Sequence, residues 1–227
     1  MILSGHQPCY LPGIQLFNKI ALSDAFMHVG HVQLSSRSWQ SRNFIRSGPL
    51  SVSKMRGPNI NTTIPVDNGW HEKHLRAIEL AYRGSEYFEE YFPFLEEILA
   101  YPWSSLAELN ETLIEQIMEW LDITTDIYYS EDHHLWGYHK VDMLIEMCKA
   151  VGADHYLSNE GARAYIDVPE ITKMHEAGIT HLWQEFTPPD YGQPKKINDG
   201  QLSIIDLLFT HGAKAGDIVK SSGSISC

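Results

Sequence analysis

The chain has 227 residues, 43% of them hydrophobic and 20% charged, with 29 acidic against 17 basic side chains. That is enough apolar chain for one sizeable core, and it excludes disorder over most of the length. A formal charge of −12 repels phosphate backbones and anionic lipid, which excludes nucleic acid as a partner but not a small anion held by a local cluster of cations.

Residues 1–3 are a short apolar run that suits a buried first strand. They feed a loop over residues 3–13 that holds His6, Gln7, Tyr10, two prolines and two glycines. Prolines restrict φ and glycines free it, so this is a shaped loop that mounts imidazole, amide and phenol groups on a rigid frame. The apolar spacing from Ile14 to Ala21 predicts a helix, with Lys19 on another side. Strand, shaped loop and helix begin a Rossmann-like unit, and residues 24–33 read as its second strand.

Residues 35–43 are the most polar segment and include Arg37, Trp39, Arg42 and Asn43. Arginine forks grip carboxylates and phosphates bidentately, and tryptophan offers a flat face to a base or sugar. The plainer reading is a solvated loop whose tryptophan anchors in the core. Residues 50–68 suggest short strands or a hairpin, and the chain then turns helical from Trp70 to Leu121. Leu75, Ile78 and Tyr82 share one face, and Tyr87, Tyr91, Phe94 and Ile98 the next, with Pro93 expected to interrupt or kink that run. Ser105 and Glu108 form a capping box before a stripe of Leu106, Leu109, Leu113, Ile117 and Leu121. Such stripes build core, so a helical insertion over about residues 70–125 is expected against the α/β layer.

After a polar connector at 128–134, a helix points Val141, Leu144, Ile145, Cys148 and Val151 inward and stops at Gly152. Residues 155–158 read as a strand, 159–165 as the turn after it, Pro169 to Gly178 as a short helix and 179–186 as a further strand. A second rigid aromatic loop runs from Pro188 to Pro194, a helix over 203–211 ends at Gly212, and the tail from Lys214 is expected to fray. Strand and helix patterns alternate on both sides of the helical middle. The expected fold is therefore α/β, a Rossmann-like, mostly parallel sheet flanked by helices, in one domain over residues 1–213 with a flexible tail at 214–227.

Cys9, Cys148 and Cys227 are odd in number and far apart, so neither a disulfide framework nor a zinc knuckle is expected, and a reducing cytoplasm fits. No apolar run approaches ~18 residues, so no membrane span is expected, and the start lacks the pattern of a signal peptide. His28-Val-Gly-His31 matches the H-x-G-H of nucleotidyltransferases, but that signature opens a helix after the first strand and here it falls on the second. His71-Glu-Lys-His74 is one residue short of a zinc H-E-x-x-H and reads better as exposed histidines in a first helical turn. His133, His134 and His139 beside Glu131 and Asp132 would make at most a weak metal site, and no metal is expected. Asp206, three residues after Ser203, reads as helix capping ahead of catalysis. No nucleophile elbow, Walker loop or dinucleotide fingerprint is present. His6 differs from all of these, because it follows the first strand, where α/β proteins place ligands, and it is suited to act as a base or as a donor to an anion.

Taken together, His6 to Pro12 with Lys19, Arg37 to Asn43, Leu157 to Tyr165, Tyr191-Gly-Gln193, and Leu202 to Phe209 with Gly212 resemble the WbqC-like family, in that family's order and across nearly the whole chain. The chain departs from the family pattern at Gly13, where an aromatic is usual, and between Gln193 and Ser203. The resemblance implies a bacterial cytoplasmic protein of O-antigen and other surface-polysaccharide pathways. The leading expectation is a transferase acting on a nucleotide-activated sugar, by acyl or aminoacyl transfer to an amino sugar. In it His6, Tyr10 and Lys19 form the catalytic set with His6 the base, Lys19, Arg37 and Arg42 hold the diphosphate, and Trp39 or Tyr10 stacks on the base or sugar. Gln7, Asn43, Ser158, Tyr165, Tyr191 and Gln193 complete the substrate site, and the donor is an acyl-carrier protein or coenzyme A; the cofactor is left open. The alternatives are a nucleotidyltransferase or adenylate-forming enzyme built on His28 and His31, and a non-catalytic scaffold of a polysaccharide assembly complex.

Overall fold

The structure is a computed structural model that describes residues 1–34, 38–55, 57–66, 68–194 and 202–227. Strand β1 (Ile2–His6) leads through the shaped loop into α1 (Ile14–Ala21) and β2 (Ala25–His28). Two small antiparallel ribbons follow, β3 (Arg42–Ile45) with β4 (Gly48–Ser51) and β5 (Lys54–Met55) with β6 (Ile64–Pro65). Helices α2 (Trp70–Tyr82), α3 (Phe88–Ala100) and α4 (Leu106–Trp120) come next, ahead of β7 (Asp126–Tyr129). The second half runs α5 (Lys140–Val151), β8 (His155–Ser158), α6 (Val168–Glu176), β9 (Thr180–Phe186), α7 (Ile205–His211), α8 (Lys214–Ser221) and β10 (Gly223–Ser226).

The central sheet has the order β7-β2-β1-β8-β9-β10, and every neighbouring pair is parallel except β9 with β10. The chain builds outward from β1 to β2 and β7, then returns to the other side of β1 for β8 and β9. The direction of winding therefore reverses between β1 and β8, the switch point at which open α/β sheets leave a crevice beyond the carboxyl ends of their strands. His6 ends β1 and Ser158 ends β8.

Alternation along the strands sorts side chains to two faces. Leu3, Ala25, Met27 and Tyr156 pack with Val141, Leu144, Met147 and Cys148 of α5 and Met174 of α6. Phe26 faces the other way, toward Phe17 and Ile20 of α1 and the insertion's Ile78, Leu95, Leu109 and Leu113. Each fully buried large side chain contributes roughly 1.5–3 kcal/mol, so the insertion is built into the larger of the two cores. Its third helix follows the expected stripe, and the Ser105 hydroxyl accepts from the Glu108 amide at 3.1 Å. In α3 the inward face is Phe88, Tyr91, Leu95 and Leu99, which shares Tyr91 with the expected stripe and lies one position on from it elsewhere, and Phe94 is half exposed; the helix runs on through Pro93.

The expected fraying from Lys214 is corrected. Lys220 aside, α8 turns Ala215 and Val219 into the core, the Asn18 amide donates to the Val219 carbonyl at 2.9 Å, and β10 pairs with β9 from Gly223 opposite Phe186 to Ser226 opposite Trp183. A short polar sequence hides this role because its order comes from the strand edge it pairs with, not from its own composition. Among the described residues no helix is long and apolar enough to cross a membrane.

Candidate functional site

The loop after β1 is shaped by partners far away in sequence. Asn110 of α4, wholly buried, donates through its amide to the Pro8 carbonyl at 2.9 Å and the Gln40 carbonyl at 2.7 Å. The Tyr10 amide bonds the Trp39 carbonyl, the Asn43 amide bonds the Leu11 carbonyl, and the Ile204 amide bonds the Pro12 carbonyl. Leu11 is held at φ 43°, a left-handed conformation that these bonds enforce on a non-glycine residue.

Over the switch point lie two cavities, of about 280 Å³ and 340 Å³, which share His6, Lys19, Trp39 and Asn159 and so form two lobes of one cleft. The lobe beside α1 adds Cys9, Gln15, Asn43 and Gln184. The lobe beside α5 adds Gln7, Gln40, Met143, Met147, Ser158 and Tyr165.

His6 Nδ1 lies 2.8 Å from the Gln7 carbonyl oxygen. A carbonyl only accepts, so Nδ1 carries the proton and Nε2 is left as a lone pair with no hydrogen-bond partner among the described residues. Burial, and then the Lys19 charge, push the imidazole down to about 4, against a smaller opposite pull from Gln7. Lys19 reaches from α1 to donate to the Gly5 carbonyl at 2.9 Å; its ammonium is buried and pushed down to about 8 by desolvation. Among the described residues no carboxylate lines either lobe, so none of them gives this cation a counter-charge in the cleft. The Cys9 thiol donates to the Gln7 carbonyl at 3.2 Å, and burial pushes it up to about 12, which makes it a poor nucleophile.

Several expected site residues do come together here: His6, Gln7, Lys19, Trp39, Asn43, Ser158 and Tyr165 all line the cleft. Others do not. Tyr10 is wholly buried, edge-on to Trp70, with its hydroxyl 2.9 Å from His74 Nδ1. Since the Ser51 amide donates to His74 Nε2, that ring carries its proton on Nδ1 and donates it to Tyr10. Tyr10 and His74 are core, which corrects both the catalytic reading of one and the exposed reading of the other. Arg42 lies 5.7 Å from the centroid of Trp39 and lines neither lobe. Tyr191 donates to Asp206, and Gln193 closes its own loop onto Tyr191 and Pro189; neither lines the cleft. Arg37 lies outside the described residues.

Asp206 does not cap its helix. It is wholly buried and accepts from Arg46 at 2.5 Å, Tyr82 at 2.9 Å and Tyr191 at 3.0 Å, a structural knot that ties α7 to β3 and α2. His28 is buried at the end of β2, stacked on Tyr129 with Nε2 3.6 Å from Glu115, and His31 bonds Ser130 at 2.6 Å. The pair opens no helix, so the geometry of the H-x-G-H signature is not met. Among residues the sequence reading passed over, Asn110 shapes the loop, and Asn159, Gln184, Met143 and Met147 line the cleft. Asn159 alone had a signal, being the first residue after a strand at the ligand-binding edge.

Fold and cleft together define a doubly wound α/β protein with a two-lobed cleft at its switch point. The sequence pattern of the WbqC-like protein family matches residues 7–218, and the chain belongs to that family. It is 30% identical over 224 residues to "Uncharacterized protein Rv1507c" of Mycobacterium tuberculosis, covering 94% of this chain and 95% of that one. No solved structure matches it.

Proposed function

We propose that this protein is a cytoplasmic transferase of bacterial surface-polysaccharide synthesis, joining an acyl or aminoacyl group to the amino group of a nucleotide-linked sugar. The observation that carries the reading is His6, held in one tautomer at the end of β1 with Nε2 unbonded among the described residues, in a cleft that it shares with a Lys19 to which no described carboxylate in the lining gives a counter-charge. The sugar amine attacks a thioester carbonyl, a C–N bond forms and the C–S bond breaks. His6 takes the proton from the amine and returns it to the departing thiolate, as a general base and then acid. Lys19 holds a phosphate of the nucleotide, Trp39 offers its face to base or sugar, and Asn43 and Asn159 orient hydroxyls. A bound phosphate beside Lys19 raises the basicity of His6, because an opposite charge favours the imidazolium. A scaffold has no use for such a base in a concave site.

The test is calorimetry of the intact protein with UDP-, dTDP- and GDP-linked amino sugars, followed by turnover with short acyl-coenzyme A donors. At least one nucleotide sugar is expected to bind, and His6→Ala is expected to retain that binding while losing about 10²–10⁴-fold in turnover, the usual worth of a general base. A panel in which nothing binds, or His6→Ala at full turnover, ends the reading.

A further inference from the structure

The two lobes differ in what they offer. In the lobe beside α1 the amides of Gln15, Asn43, Asn159 and Gln184 ring the space next to Lys19. In the lobe beside α5 the polar side chains are Gln7, Gln40, Ser158 and Asn159 with the shared His6 and Lys19, and three of them bond one another or His181, while Gln40 Oε1 is buried with no partner among the described residues. The Gln40 amide donates to the Gln7 side-chain oxygen at 2.5 Å, and Ser158 Oγ is 2.9 Å from His181 Nε2. Beyond them the wall is Val29, Met143, Leu144, Met147 and Ala162, with Tyr156 and Tyr165. Met143 and Met147 stand one helical turn apart on α5, and the Met147 methyl packs over Gly5, where a Cβ would lie 2.4 Å from it. Thioether side chains are unbranched and adapt to the shape of what they cover. Among the described residues, apart from Lys19 and His6 at the shared end, no ionisable side chain other than the two tyrosines lines this lobe.

We infer that the lobe beside α5 binds the unbranched apolar chain of the acyl group, with its carbonyl end at His6 and Lys19, and that Met143 and Met147 set the chain length it accepts. The inference rests on the acyl-transfer reading above and names the donor group that reading leaves open. A polar aminoacyl group would leave its ammonium against methionine methyls with nothing to pair it, a cost that an alkyl chain avoids.

The experiment is calorimetric binding of a series of straight-chain acyl-pantetheines, from acetyl to decanoyl, to the intact wild-type protein. Burial of a methylene is worth about 0.8 kcal/mol, so affinity should rise about fourfold per methylene up to a limit and then level or fall. Met143→Trp, at a half-buried position, should shorten that limit by filling the lobe, and Met143→Ala should lengthen it. Wild-type affinity that is flat with chain length overturns the inference without any variant, as does a Met143→Trp protein that is folded by circular dichroism and keeps the wild-type profile. Failure here is distinct from failure of the proposed function: nucleotide sugars that bind with a flat acyl profile sink only this inference. A length-dependent acyl profile with no nucleotide sugar bound ends the proposed function and leaves the acyl site standing.

Discussion

Tyr10 and His6 stand four residues apart in one loop and were equally eligible as chemistry-bearing groups, yet Tyr10 ends in the core against His74 and His6 in the cleft. What separates them is Asn110, Asn43 and the Trp39 carbonyl, which hold the loop backbone so that only one of the two rings faces the crevice. No local rule reads partners so distant. The neutral, Nδ1-protonated state of His6 has a direct consequence. In ¹⁵N-resolved imidazole spectra, His6 should show an unprotonated Nε2 at pH 7 and begin to titrate only as pH falls toward about 4. Titration near 6.5, the ordinary value, would mean that the ring is solvated and the burial wrong. Lys19 should lose its proton near 8, far below an ordinary lysine, because its ammonium is desolvated.

At the scale of elements, the helices of the insertion follow from apolar periodicity, while the phase of α3 and the burial of His74 do not, since Phe94 and Leu95 are equally apolar neighbours on adjacent faces and a polar ring gives no core signal. The packing of α8 shows a different limit. Gly216 sits within that helix, where alanine would ordinarily stabilise by up to about 1 kcal/mol. A Cβ at this position would lie 2.4 Å from the Leu121 carbonyl oxygen, a backbone atom that cannot swing aside. Gly216→Ala should therefore destabilise by about 1–3 kcal/mol, the usual cost of overpacking, read from the urea midpoint. A raised midpoint would show that α8 does not approach the turn after α4 this closely.

For the whole molecule, burial lowers five histidines: His28 to about 3, His6, His74 and His181 to about 4, and His31 in the same direction. The unfolded chain binds these protons near 6.5, so their contribution to stability is complete above that pH and is lost as pH falls toward 4. Glu111, pushed up to about 8 by burial and then by Glu131, Glu115 and Glu108, acts in the opposite sense by one proton over the same window. The histidines prevail, each at a ceiling of about 1.4 kcal/mol per pH unit. Urea midpoints should fall steeply between pH 6.5 and 5; a midpoint unchanged down to pH 5 contradicts the burial of these rings. The alternation of strand and helix, the parallel sheet and the candidacy of His6 were settled by the sequence alone, because periodicity and the position after a first strand are local properties of the chain. The tertiary structure decided the rest. It made an edge strand of a polar tail, placed Arg42, Tyr191 and Gln193 outside the cleft, spent Asp206 on Arg46 and two tyrosines, and brought Met143 and Met147 to His6. Each of these depends on which distant segment pairs with which, and pairing across a sheet is fixed by the joint packing of both faces rather than by any stretch of sequence read by itself.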